Sequence, residues 1–286
     1  MIHLITLNPA IDEYISVDGF EIEKTSYRTN TDVVMGGKAV NVASVLRSLG
    51  TAATLVTCVD YSNKFVVDSL QDYNSYLIEV DHIRTNLKIN NNGSITEIND
   101  RGQALSGVAR LQFETYVSKC VEAGDIVLIA GNPHFDDELF QYRLAKIAKA
   151  KGAKLFLDSN KFDLEMIKDL EPYFIKPNDE ELETLGIEAS ELASYVNELV
   201  VSHGGNGFTY YDKNMSQYEQ PITGKPINTV GAGDSLVAGY IYATVNEFNL
   251  DDKLKVAKYS ASATVYSGKL ATKDTIKQYD QTNIIK

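Results

Sequence analysis

Ile126-Val127-Leu128-Ile129-Ala130, then Asp136 to Lys151 (DDELFQYRLAKIAKAK), then Lys154-Leu155-Phe156-Leu157-Asp158 form the stretch on which the fold turns. The first run is apolar at every position, which suits a strand covered on both faces. The middle segment sets Leu139, Leu144, Ile147 and Ala148 on one inward stripe and stops at Gly152, as a helix does. A strand, a helix and a second strand in this order make a crossover, and a crossover joins parallel strands.

The same alternation continues in both directions. Ile2–Thr6, Thr54–Val59, Tyr173–Lys176 and Glu198–Ser202 read as further strands, and Lys38–Leu49 reads as a helix with Val42, Val45, Leu46 and Leu49 inward and Gly50 as its stop. The expected fold is α/β: doubly wound, with a mostly parallel sheet flanked by helices. Two polar segments, Asp12–Val34 and Arg84–Leu105, break the rhythm. Both are rich in Thr, Ser and Asn, and the second holds Asn91-Asn92-Gly93 ahead of a strand-like Ser94–Ile98. They read as strands of a small lid over a site. Val33, Val34, Ile89, Ile95 and Ile98 in this lid need something to cover them.

Composition narrows the function. With 27 Lys+Arg against 39 Asp+Glu, the net charge of −12 excludes a general nucleic-acid coater. The longest stretch free of Asp, Glu, Lys and Arg, Leu199–Tyr211, is well short of the ~20 residues that span a bilayer, so no membrane span is expected. The start, MIHLITLNPAID, reads as a strand and not as a signal peptide. Cys58 and Cys120 sit in apolar segments, which predicts buried free thiols in a reducing, cytoplasmic compartment.

Four motifs carry chemistry. Asn228-Thr229-Val230-Gly231-Ala232-Gly233-Asp234-Ser235 is a glycine turn opening an apolar helix, where converging N–H groups and the helix dipole favour an anion. Asp234 would repel that anion unless it served another purpose, and deprotonating an attacking hydroxyl is such a purpose. Met35-Gly36-Gly37-Lys38-Ala39-Val40-Asn41 enters a helix with Lys38 and Asn41 on one face, a cation and an amide for a polyol or its phosphate. Lys176-Pro177-Asn178-Asp179-Glu180-Glu181 places Asn178 and Glu181 at capping-box spacing, which also suits ordering water around a Mg²⁺ held by nucleotide phosphates. Ser202-His203-Gly204-Gly205-Asn206-Gly207, at a strand end, lets the chain pass closely under phosphates. There is no Walker A loop and no dinucleotide fingerprint. His3, His82, His134 and His203 lack metal-ligand spacing.

In chain order, Thr6-Leu7-Asn8-Pro9-Ala10-Ile11-Asp12 and the Gly36, Lys176 and Asn228 motifs resemble the PfkB, or ribokinase-like, carbohydrate kinases, in the branch of 1-phosphofructokinase and tagatose-6-phosphate kinase. The resemblance implies one ribokinase-like domain over residues 1–286, with Asp234 as catalytic base and the N–H groups of Gly231, Ala232 and Gly233 as anion hole. It implies that Asp12, Gly36, Gly37, Lys38 and Asn41 hold the sugar, and that Arg84, with Lys88 nearby, takes the substrate phosphate. ATP would lie along Lys176, Asn178, Ser202, His203, Gly204, Gly205, Asn206 and Gly207, with Glu181 in the Mg²⁺ shell. The expected reaction is phosphorylation of a ketohexose phosphate, fructose 1-phosphate first and tagatose 6-phosphate as the alternative. A sugar-phosphate or nucleotide binding protein with weak catalysis is the reading from another class. It is suggested by departures from the family pattern at Cys58–Lys64, Gly131–Phe135 and Asp158–Lys161. A homodimer joined lid to lid is expected, with Lys24 or Arg28 near the pocket.

Overall fold

The computed structural model describes residues 1–281 and 283–285. Its thirteen strands are β1 (Ile2–Thr6), β2 (Ala10–Val17), β3 (Arg28–Gly36), β4 (Thr54–Val59), β5 (Ser75–Glu79), β6 (Arg84–Asn91), β7 (Ser94–Asn99), β8 (Ile126–Ala130), β9 (Lys154–Asp158), β10 (Phe174–Ile175), β11 (Glu198–Ser202), β12 (Phe208–Tyr211) and β13 (Ser216–Glu219). Nine of them form one sheet in the order β13-β12-β11-β10-β9-β8-β1-β4-β5. β5, β4, β1 and β8 to β11 are parallel, and β12 and β13 add an antiparallel edge. The chain winds from β1 outward to β5, then recrosses to β8 on the other flank of β1, so the order reverses at the middle of the sheet. In such sheets the crevice outside the carboxyl ends of the strands at the reversal is where ligands bind.

The strands form where the sequence is apolar at successive positions, because helices cover both faces: β1 and β8 are buried throughout. Helix Lys38–Ser48 buries Val42, Val45 and Leu46, and the chain leaves it through Gly50 at φ +79°. Helix Ala232–Val245 has no polar side beyond its ends, and every residue from Asp234 to Ala243 is buried. That pattern belongs to a helix walled in on all sides. It packs between helix Lys38–Ser48 and helix Leu250–Ser267. Gly239 permits the second contact, since a Cβ there would lie 2.8 Å from Val256 O and 2.5 Å from Ser260 Oγ.

The lid is a second sheet, in the order β3-β2-β6-β7. β2 follows β1 after only Leu7–Pro9, so the lid rises from the carboxyl edge of the central strand. β2 pairs parallel with β6, setting Asp12 beside Asn86 and Tyr14 beside Lys88.

Three expectations need correction. Leu139 is 71% exposed, because it stands five residues before Leu144 and so about 140° round the helix Glu138–Ala150 from it, whereas Phe140, four before Leu144, takes the inward place. Cys58 is buried, but Cys120, in the last turn of helix Gly107–Cys120, is exposed. The strand expected over Tyr173–Lys176 is only Phe174–Ile175. Pro177 offers no N–H to a ladder and biases Lys176 out of it.

Candidate active site

Several chain segments converge at the carboxyl edge of the large sheet: the exit of β1, the end of β9 at Asp158, the residues after β10, the end of β11, and the start of helix Ala232–Val245. Gly231 precedes that helix at φ +80°, a backbone conformation that calls for glycine, and a Cβ there would also displace Leu270 Cδ2, 2.6 Å away. Ala232 N–H turns back onto Thr229 O at 3.2 Å. The N–H groups of Gly233 and Asp234 sit in the open first turn, where no intrahelical acceptor exists.

Asp234, third in this helix, is 8% exposed and accepts a hydrogen bond from Asn41 Nδ2 at 2.6 Å. Burial and then the charge of Asp158 push its carboxyl up to about 6, against the opposing pull of Lys38, the Asn41 hydrogen bond and Lys176. A carboxylate so tuned is ionised at neutral pH yet basic enough to accept a proton. Asp158 is 1% exposed, and its Oδ1 receives Lys38 Nζ at 3.0 Å and Lys176 Nζ at 3.4 Å. Burial alone would raise the Asp158 carboxyl, but Lys176 and Lys38 together hold it below its ordinary value. For Lys38, burial pulls downward and is outweighed by Asp158, Asp234 and Glu181, so the ammonium stays charged. Lys176 Nζ reaches the helix start, 3.5 Å from where a Gly233 Cβ would stand. The sum is two ammonium groups and two carboxylates in one cluster.

The lid supplies the facing wall. Asp12 Oδ1 accepts from Asn86 Nδ2 at 2.8 Å, and a Cβ on Gly36 would lie 2.3 Å from Asp12 Oδ2, so glycine is what lets the two strands close on this carboxylate. Gly37, at φ +112°, brings the chain against Pro9 and into helix Lys38–Ser48. Arg84 lies on the same face of β6 as Asn86 and Lys88. Its Nε donates to Asn8 O at 3.3 Å and its Nη1 to Asp100 O at 3.0 Å. Among the described residues no carboxylate lies in ion-pair contact with it, although the charges of Asp12 and Asp100 act on it at longer range. Lys88 stands further out along β6, 6% exposed, with its Nζ 3.6 Å from Glu97 Oε1 and over the ring of Tyr14.

Beside the cluster opens a cleft of about 720 Å³. One wall holds Asn178, Ser202, His203, Gly204, Gly205 and Gly207; Ala232 and Gly233 form the head, and Ala261, Val265 and Tyr266 give an apolar flank. These dimensions and this mix of apolar flank and glycine-rich wall suit a nucleotide. Asn206 does not line the cleft: its carbonyl accepts from Tyr218 OH at 2.5 Å and serves the adjoining hairpin. Lys176 stands at the Asp158 cluster. His203 is held on both ring nitrogens, by Asp179 Oδ1 at 2.7 Å and Thr209 Oγ1 at 2.9 Å, so it fixes the loop. Asn178 and Glu181 form the capping box of helix Asp179–Leu185, with Asn178 Oδ1 taking the Glu181 N–H at 2.7 Å and Glu181 Oε2 taking the Asn178 N–H at 3.0 Å. Among the described residues no group of three or more His, Cys, Asp or Glu could hold a metal ion. A divalent cation here would therefore depend on ligand phosphates for its binding, with Glu181 at its margin.

Two residues of the site escape a reading of motifs. Asp158 is visible afterwards as a carboxylate ending an apolar strand at the carboxyl edge of a parallel sheet. Asn8 joins three segments: its Nδ2 donates to Arg101 O at 3.0 Å and to Asn132 O at 3.3 Å, while its own carbonyl accepts from Arg84. Nothing in local spacing foretells that role.

The family model for pfkB family carbohydrate kinases matches residues 5–276. The chain is 29% identical to the 1-phosphofructokinase of Bacillus subtilis, over 97% of both chains. It is 27% identical to the tagatose-6-phosphate kinase of Staphylococcus epidermidis, over 90% of this chain and 89% of that one. In structure it is similar to phosphofructokinase-2 of Escherichia coli solved with substrates and products, at a TM-score of 0.88, 24% identity and 97% coverage of each chain.

Proposed function

The chain belongs to the pfkB family of carbohydrate kinases, and from that premise we propose that it transfers the γ-phosphoryl group of ATP to a hydroxyl of fructose 1-phosphate, giving fructose 1,6-bisphosphate and ADP. One observation carries the reading. A buried carboxylate, Asp234, stands in the first turn of a helix opened by a glycine turn, and the facing lid holds Arg84, which has no ion-pair partner among the described residues.

In this reading Asp12, Gly36, Gly37 and Asn41 hold the sugar, and Arg84, with Lys88 beyond it, takes the phosphate already on the substrate. Asp234 accepts the proton of the attacking hydroxyl. The new bond joins that oxygen to the γ-phosphorus as the bond to the bridging oxygen breaks and ADP leaves. The N–H groups of Gly231 and Gly233, and that of Ala232 once it leaves Thr229 O, offset the charge on the transferring group together with Lys38 and Lys176. Asn178, Ser202, His203 and the glycines of the β11–β12 loop hold the nucleotide. Mg²⁺ would neutralise the nucleotide phosphates, and Glu181, with one oxygen in the capping box, suits ordering its water shell.

Tagatose 6-phosphate is the second reading, favoured by the Staphylococcus epidermidis relative. The lid carries Ile22 84%, Tyr27 81%, Ile95 46% and Ile98 55% exposed. That supports a homodimer joined lid to lid, with Lys24 or Arg28 brought toward the pocket. Among the described residues no helix is long and apolar enough to cross a membrane, and the free thiols agree with a cytoplasmic site of action.

The deciding experiment is a coupled assay of ADP release over fructose 1-phosphate, tagatose 6-phosphate, fructose 6-phosphate and nucleosides. The expected result is the highest kcat/KM with fructose 1-phosphate. Tight binding without ADP release on any of them would favour a binding protein and overturn the kinase.

A further inference from the structure

Asp158 touches neither the lid nor the cleft, yet it is the best-enclosed charge in the site. It is 1% exposed, one oxygen takes both Lys38 and Lys176, and the other, Oδ2, is buried with no hydrogen-bond partner among the described residues. A buried carboxylate with one oxygen unmatched is costly to keep for stability alone. The arrangement has a geometric consequence. Lys38 opens the helix whose Asn41 donates to Asp234, and Lys176 Nζ lies against Gly233, the residue before Asp234. Both ammonium groups are thus placed about the catalytic carboxylate by one atom.

We propose that Asp158 is a positioning residue for phosphoryl transfer, whose Oδ1 holds Lys38 and Lys176 where the transferring group develops charge. This rests on the kinase reading above. The charged groups that act on Asp234 are Asp158, Lys38 and Lys176, and Glu181, from its own helix, acts on Lys38. Asp158 therefore acts on the base in two ways: its negative charge helps the Asp234 carboxyl retain a proton, and its grip keeps both lysines in place. Removal of the charge would leave two uncompensated ammonium groups beside Asp234 and draw its titration downward.

The test compares wild type, Asp158→Asn and Asp158→Glu by steady-state kinetics across pH, with circular dichroism as the check on folding. Asp158→Asn keeps the shape and loses the charge. Its kcat is expected to fall about 10²-fold, the scale of a misplaced reacting group, with both KM values changed less than about threefold and the acidic limb of kcat moved to lower pH. Asp158→Glu keeps the charge but moves it, so kcat falls while the acidic limb stays in place. It serves alone where the Asn variant does not fold. A variant that loses thermal stability while its kcat and acidic limb match wild type would reduce Asp158 to a structural ion pair and overturn the proposal. A rise in KM at constant kcat would do the same. A wild type with no ADP release would overturn the kinase reading itself, which separates the two failures.

Discussion

Asp234 and Arg84 take opposite positions toward charge, and each gives a prediction. The folded protein holds the Asp234 carboxyl up to about 6, so turnover is expected to fall as pH drops through that value, read from the acidic limb of kcat. The stability consequence has the other sign. A carboxyl whose folded value lies above its unfolded one is bound to its proton more tightly in the fold, so the fold loses stability as pH rises between the two values and stays penalised above them. Asp234→Asn removes that penalty: at pH 7 it is expected to add on the order of 2 kcal/mol while lowering kcat ~10²- to 10⁴-fold. Near pH 3 the stabilisation should vanish. Thermal midpoints at both pH values check this, and a variant less stable than wild type at pH 7 would count against a strained carboxylate. For Arg84→Ala, the loss of a charged hydrogen bond of ~1.5–3 kcal/mol predicts a rise of about 10- to 100-fold in KM for the sugar phosphate, with KM for ATP unchanged. Equal rises in both would place Arg84 on the nucleotide.

At the scale of the element, helix Ala232–Val245 shows a contest of magnitudes. Ala is the better helix former by ~1 kcal/mol over Gly, but at position 239 a Cβ would lie 2.8 Å from the backbone oxygen of Val256, and overpacking costs typically ~1–3 kcal/mol. Gly239→Ala is therefore expected to lower the denaturant midpoint; a raised midpoint would mean that the two helices separate easily. The same helix marks how far the sequence could be read. Its glycine turn and unbroken apolar run were legible because each is a local pattern, as were β1, β4, β8, β9 and β11. Asp158 and Asn8 were not, because their roles come from partners far along the chain: Asp158 meets Lys38, and Asn8 meets Arg101 and Asn132. The antiparallel edge β12 and β13 carries too little apolar periodicity to declare itself. Leu139 misled because, apolar though it is, its spacing of five from Leu144 does not meet the inward stripe.

Over the whole molecule, the lid rises from β1 through Leu7–Pro9, and its return at Leu105 is tied to the main body, where Leu105 N donates to Asp137 Oδ2 at 2.8 Å. A sheet so tethered at its base can tilt without unfolding, and the predicted response to sugar phosphate is slower hydrogen exchange in residues 10–36 and 84–99. Unchanged exchange would argue for a fixed lid. Light scattering over a concentration series tests the dimer, since a particle near 31.6 kDa throughout would exclude it. The charge cluster also bears on how the protein is made. Lys38, Asp158 and Lys176 leave the ribosome well before Asp234, which belongs to the helix Ala232–Val245, buried from Asp234 to Ala243. Until that helix emerges, the growing chain carries both lysines but not Asp234. A chain stopped at Gln220 is thus expected to release no ADP from ATP, and ADP release from it would count against Asp234 as the base.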